Sequence, residues 1–220
     1  MTTAARSKAA SPPPAAAPRP PRAARLRKQQ QILLEAEAQF ARYGFEGASL
    51  DGIAAALGIS RQNMLYYFAS KEELYDAVLD NVLAAWVEGM DTMARGKDPE
   101  AAISAYVAAK LRFSQERPSG SAVFTREVMA GAPRYADKLA QQVLPHLRTD
   151  VKTFEKWARK GLIARVDFTH LMFVIWSVTQ AYADLAPQFA LLLGKPQLED
   201  RDFAAAHALI TRLVVSSLRK

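Results

Sequence analysis

The chain has 220 residues, half of them hydrophobic, enough for one large helical body or for a small domain joined to a larger one. It contains no cysteine, which excludes disulfides, thiolate metal sites and cysteine nucleophiles and fits a reducing cytosol. The net charge is +7, and the basic residues that precede the first acidic one, Glu35, account for all of it: Arg6, Lys8, Arg19, Arg22, Arg25, Arg27 and Lys28.

The basic character therefore belongs to an N-terminal arm and not to the rest of the chain. Residues 1–24 are rich in Ala, Pro and Arg, as in "SPPPAAAPRPPRAAR". They have no apolar run for a secretory signal, and their prolines spoil the amphipathic helix of a transit peptide. The arm is expected to be disordered or polyproline-like, and basic arms of this kind bind polyanions, nucleic acid above all.

From Arg25 onward the periodicity is helical. Ile32, Ala36 and Phe40 recur at fourfold spacing, and Gly44 is placed to end that helix. Ser49 can cap a short second helix with Leu50, Ile53, Ala54 and Leu57 inward, closed by Gly58. Ser60 can cap a third, ending near Phe68. "SKEE" at Ser70 reads as a capping box with Glu73 and opens a fourth helix, whose positions Leu74, Val78, Val82, Trp86 and Met93 hold the period to about Ala94.

Further helices are predicted at about 100–116, 120–129, 133–161, 168–193 and 198–218, with Pro145 bending or splitting the third of them. No strand-like alternation appears, so the fold class is all-α. Residues 171–193 are the most apolar stretch, but they carry Asp184 and Pro187. An ionised Asp in mid-bilayer costs roughly 3 kcal/mol, so a buried helix is expected there and no membrane span.

The segment "LDGIAAALGISRQNMLYYF" has the parts of a helix-turn-helix: a small residue, Ala54, at the crossing, Gly58 for the turn, and inward Met64, Leu65 and Phe68. Burial of those three leaves Arg61, Gln62 and Asn63 on the exposed first turn. A recognition helix enters the major groove by that turn; Arg suits guanine, while Gln and Asn suit adenine. Tyr66 and Tyr67 follow Gln62 and Asn63 by four residues, so their hydroxyls can reach phosphates. Ser49, Ser60 and Lys71 lie at or near helix N-termini, which favour phosphate. Each residue taken singly also fits an ordinary polar surface helix; the joint pattern favours DNA.

On these residues, "QILLEAEAQFARYGFEGASLDGIAAALGIS" through "RQNMLYYFASKEELYDAVL" resembles the DNA-binding domain of the TetR family of bacterial transcriptional regulators. The resemblance implies two-fold dimers of all-α subunits, with a three-helix DNA-binding domain at 25–70 and a larger ligand-binding and dimerising domain at 71–220. It implies base contacts for Arg61, Gln62 and Asn63 and phosphate contacts for Ser49, Tyr66, Tyr67 and Lys71. The partners implied are an approximately palindromic double-stranded operator, a second copy of the chain and a small-molecule effector, in the bacterial cytoplasm.

"LAAWV", "YVAAKLRFS", "EVMAGAP", "KGLIARVDFTHLMFVIW" and "TQAYAD" resemble those members of the family that regulate pyrimidine use. That implies uracil or thymine as effector, held by Trp86, Trp176 and Gln180. The residues themselves agree in part: Trp176 and Gln180 share a helix face, and a ring beside an amide suits a flat imide. The same pair also fits a core or a dimer interface, and an unrelated effector stays open. Asp184 is expected to pair across the dimer, and Val214, Val215 and Leu218 to form part of its seam.

No enzyme is expected and no metal or cofactor. His146, His170 and His207 lie far apart with no carboxylate at metal spacing, and no nucleophile elbow, phosphate loop or dinucleotide glycine pattern occurs. An architectural protein that coats DNA is the rival from another class, since the basic arm alone would serve it.

Overall fold

The computed structural model describes residues 22–88, 93–94 and 96–220, and every regular element among them is an α-helix. The arm expected over 1–24 lies largely outside these residues, and its last three belong to the first helix. The helices are α1 (Arg22–Gly47), α2 (Leu50–Ala56), α3 (Arg61–Tyr67), α4 (Lys71–Glu88), α5 (Pro99–Glu116), α6 (Pro118–Met129), α7 (Ala136–Arg159), α8 (Phe168–Asp184), α9 (Ala186–Leu192) and α10 (Asp200–Ser217).

Helices α1 to α3 make a small head. Ile32, Ala36 and Phe40 of α1 are buried against Ile53 and Ala54 of α2 and Met64 of α3. Gly44 (φ +72°) interrupts α1 and Gly58 (φ +62°) makes the α2–α3 turn, both in the left-handed region that glycine enters without steric cost. Leu65 departs from expectation: it is 39% exposed. In so short a helix the apolar stripe is one residue wide per turn, so Met64 and Phe68 are buried and Leu65, about 100° round the axis, is not.

Helix α4 links head to body. Its start is capped as predicted by Ser70, which accepts from Glu73 N at 3.1 Å, but the Glu73 carboxylate reaches back one residue further, to Ala69 N at 2.8 Å. Phe40 and Phe45 close on Tyr75 of α4, with centroids 4.9 and 5.0 Å from its ring. The Arg117 guanidinium, at the α5–α6 junction, pairs with Glu37 of α1 and donates to Asn81 of α4 at 3.0 Å. Near the end of α6, Glu127 accepts from the Tyr75 hydroxyl (3.2 Å) and from Arg134 N (2.8 Å). Burial of that hydroxyl and the adjacent carboxylate hold Tyr75 well above the usual phenol range.

In the body, α5 packs against both α8 and α10, while α6 bridges α1, α4 and α8. The expected helix over 168–193 is two helices, α8 and α9, because Pro187 starts the second. Helix α7 continues through Pro145 as one element. The stripe expected to face a second subunit faces inward: Val214 and Leu218 continue the buried line of Phe203, Ala206 and Ile210. Helix α10 is apolar on two stripes, and it is Leu209 and Leu213, the latter 60% exposed, that lie outside. Among the described residues, no helix is long and apolar enough to cross a membrane.

Phe40→Ala should cost about 3–5 kcal/mol, because its cavity opens where head and α4 meet. Urea unfolding followed by circular dichroism measures this; a loss below about 1 kcal/mol would mean the junction does not depend on that ring.

Candidate functional site

The third helix is held so that its first turn projects. Ser60 accepts from Asn63 N at 3.1 Å and Ser49 from Gly52 N at 3.0 Å, satisfying donors that each short helix leaves open. Arg61, Gln62 and Asn63 are all exposed. Tyr66 is 46% exposed and stands edge-on to Tyr67, centroids 5.1 Å apart.

Three details could not be read from sequence spacing. The Arg61 guanidinium pairs with Asp51 of α2, both side chains exposed, so it is aligned across the helix pair. The Arg25 guanidinium lies 5.4 Å from the Tyr66 ring centroid, which brings the base of the arm beside α3. Lys71 is turned toward the end of α1, where it donates to Phe45 O at 2.8 Å and Ala48 O at 3.3 Å and sits 4.4 Å from the Phe45 ring. Its main contact is thus a clamp between α4 and the head, a role its position at a helix start did not reveal.

A second constellation lies in the body. Trp86 of α4 meets Trp176 of α8 edge to face at 5.1 Å and stacks near Phe124 of α6 at 6.1 Å. Trp176 Nε1 donates to Tyr106 Oη at 2.7 Å. Gln180 lies one turn from Trp176, and its Nε2 donates to Thr125 Oγ1 at 2.7 Å and Asp184 Oδ2 at 3.2 Å. The three residues singled out in the sequence are therefore brought to one place, between α4, α6 and α8.

Asp184 differs from expectation. Its carboxylate accepts from Ser121 Oγ at 2.7 Å and Thr125 Oγ1 at 2.8 Å of the same chain. Hydroxyls one turn apart on α6 meet both of its oxygens, so the charge is satisfied without a second subunit.

Lys110 is also here. It is 3% exposed, its ammonium 3.5 Å from the Trp86 centroid and donating to Trp86 O at 3.0 Å. Burial holds its pKa well below the usual lysine value, opposed by the charge of Asp150. Burial likewise raises Tyr106 far above the normal phenol range. Among the described residues no cluster of His, Asp and Glu could hold a metal ion.

A projecting recognition turn on a helix-turn-helix, carried by a helical body with its own buried polar and aromatic cluster, defines a ligand-responsive, DNA-binding transcriptional regulator. Residues 32–78 match the family model "Bacterial regulatory proteins, tetR family", and residues 79–220 match "YcdC-like protein, C-terminal region". The chain is 35% identical over 188 residues to the HTH-type transcriptional regulator RutR of Escherichia coli strain K12, an alignment covering 86% of this chain and 89% of that protein. The protein belongs to the TetR family.

Solved structures agree in fold. A TetR-like transcriptional regulator from Rhodococcus sp. RHA1 superposes with TM-score 0.66 at 24% identity, covering 89% of this chain and 96% of that one. The ketosteroid transcriptional regulator KstR2 of Mycobacterium tuberculosis gives TM-score 0.69 at 16% identity, covering 88% and 95%.

Ser60→Ala should destabilise the protein by about 1 kcal/mol, because it strips the acceptor from Asn63 N. A thermal midpoint unchanged within error would show that water replaces the cap without loss.

Proposed function

We propose that the protein is a homodimeric repressor that leaves its operator when a pyrimidine base, uracil or thymine, binds beside Trp86, Trp176 and Gln180. The observation that carries this reading is the contact of Trp86 with Trp176 in the body, with Gln180 one turn along the same face of α8, one helix away from the head. The resemblance of the surrounding segments to regulators of pyrimidine use supports the ligand. A flat imide stacks on an indole and exchanges hydrogen bonds with an amide, and Gln180 already shows that its amide can donate.

On the DNA side, Arg61, Gln62 and Asn63 read base edges, and Ser49, Ser60, Tyr66 and Tyr67 contact phosphates. Lys71 serves chiefly to fix the head through the carbonyls of Phe45, Glu46 and Ala48, and reaches phosphate by giving up the longest of these bonds, 3.5 Å to Glu46 O. The arm, which starts beside Tyr66, adds charge contacts that raise affinity more than selectivity. The operator is an approximate palindrome with half-sites about 34 Å apart or a multiple of it, as two-fold symmetry requires.

The dimer forms through the outward faces of α8 and α10. Phe173, Val174, Val178, Leu209 and Leu213 are exposed there, more apolar surface than an isolated subunit normally leaves in water. Such a regulator acts in the cytoplasm, on the nucleoid. The effector works through its different affinity for the two arrangements of the heads, a coupling of about 1–3 kcal/mol.

Arg61→Ala should relax selectivity at one base pair per half-site by about 1–3 kcal/mol, read from binding to a set of single-base operator variants. A loss equal on every sequence would remove the base-reading role and leave a phosphate contact. For the effector, uracil or thymine should raise the unfolding midpoint, and Gln180→Ala should abolish the rise. If no pyrimidine shifts the midpoint while unrelated small molecules do, the effector is of another class.

A further inference from the structure

An exposed leucine is out of place on a helix whose first turn reads polar base edges. Successive residues of an α-helix stand about 100° apart round its axis. Leu65 therefore falls about 40° from Arg61 and about 60° from Gln62, between the two and one turn further along. Met64 and Phe68 take the buried side, and Leu65 is left 39% exposed. DNA that meets Arg61 and Gln62 also meets Leu65.

Arg61 and Leu65 form one wall of a cleft of about 370 Å3 between the starts of α2, α3 and α4, with Ser49, Asp51, Ser70 and Lys71 on the other walls. Arg61 Nη1 donates to Asp51 Oδ2, and both side chains are exposed. An exposed ion pair of this kind contributes little to stability, and a carboxylate on a DNA-facing surface lowers affinity for any polyanion. What the contact supplies is orientation. A guanidinium carries its N–H donors in one rigid plane, so a carboxylate on Nη1 fixes the plane and leaves an edge for N7 and O6 of guanine.

We infer that Leu65 is a specificity-determining residue that takes the C5-methyl group of a thymine beside the guanine read by Arg61, and that Asp51 is the positioning residue that holds Arg61 for that guanine. A leucine pressed on a base donor or acceptor leaves that group without water or a partner, which costs affinity. The thymine methyl is the apolar group that the major groove offers, and an aliphatic side chain packs on it. This rests on the base-reading role given to Arg61 above and is independent of the effector.

Selection from a randomised duplex pool with the full chain yields the preferred half-site. Each thymine of that duplex is then replaced in turn by deoxyuracil, which removes the methyl and leaves base pairing unchanged. Wild type should lose about fourfold in affinity at one thymine per half-site, the worth of burying one carbon group. That thymine should lie beside the guanine that Arg61→Ala no longer distinguishes. Leu65→Ala should bind thymine and deoxyuracil equally there and keep its other base preferences. Asp51→Asn should bind random-sequence DNA at least as tightly as wild type, while its preference for the guanine falls from about tenfold to about twofold. Asp51→Glu, which keeps the charge, should restore part of that preference. All these side chains are exposed, so the substitutions leave the core intact.

A half-site in which no thymine methyl affects wild-type binding, or a methyl effect that persists in Leu65→Ala, would overturn the role of Leu65. If Asp51→Asn keeps the guanine preference and is weakened equally on every sequence, Asp51 is a structural contact at the start of α2 and no positioning residue. Should the pool yield no preferred sequence, base reading by Arg61 fails and this proposal fails with it. A preferred half-site without a methyl effect removes this proposal alone.

Discussion

A seven-residue helix has too few internal hydrogen bonds to persist alone in water, so the position of α3 depends on the burial of Met64 and Phe68. That burial requires α1 at the right angle behind it, and α1 in turn is fixed by Phe40 and Phe45 against Tyr75. The projecting turn is therefore set by contacts on the opposite side of the head from the residues that project. A change in α4 reaches Arg61, Gln62 and Asn63 through these apolar contacts, since α4 carries Tyr75 and is joined to α3 by only three residues.

The junction between head and body is marked by buried polar groups, each paired within the chain. Glu37 with Arg117, and Glu127 with Tyr75 and the Arg134 amide, tie helices that are distant in sequence. Such pairs contribute little net energy beyond what apolar packing would give, but removal of either partner leaves a buried charge or dipole uncompensated. Gly120 shows how close the approach is: a Cβ there would stand 3.1 Å from Glu37 Oε1 and 3.2 Å from Val82 Cγ2. Lys110 is a further buried group at this junction, donating to Trp86 O at 3.0 Å and lying over the Trp86 ring.

Much of this was legible in the residues. The helical period, the serine caps and the turn glycine located the head, because capping and left-handed turns are decided within a few residues of chain. The projecting residues of α3 followed from the same local rule, with one error: Leu65 has the chemistry of a core residue but the wrong angle for a helix seven residues long. Val214, Val215 and Leu218 were misassigned to the outer seam for a related reason. Helix α10 bears two apolar stripes, and hydrophobicity alone does not say which one meets the subunit's own core. Trp86, Trp176 and Gln180 were singled out in the sequence, while their neighbours Tyr106, Phe124 and Thr125 were not, since these come from α5 and α6 with nothing in their spacing to connect them to α8.

By itself, then, the sequence determined what depends on neighbours along the chain: an all-α protein, a helix-turn-helix with Arg61, Gln62 and Asn63 at its tip, and an excess of charge confined to the first 28 residues. Only the tertiary structure decided which side chains are partners across helices. Asp51 beside Arg61, Lys71 on the carbonyls of α1 and Lys110 on the carbonyl of Trp86 are separated from their partners by 10 to 26 residues. No periodicity links positions so far apart, and their roles follow from the packing of the core that brings them together.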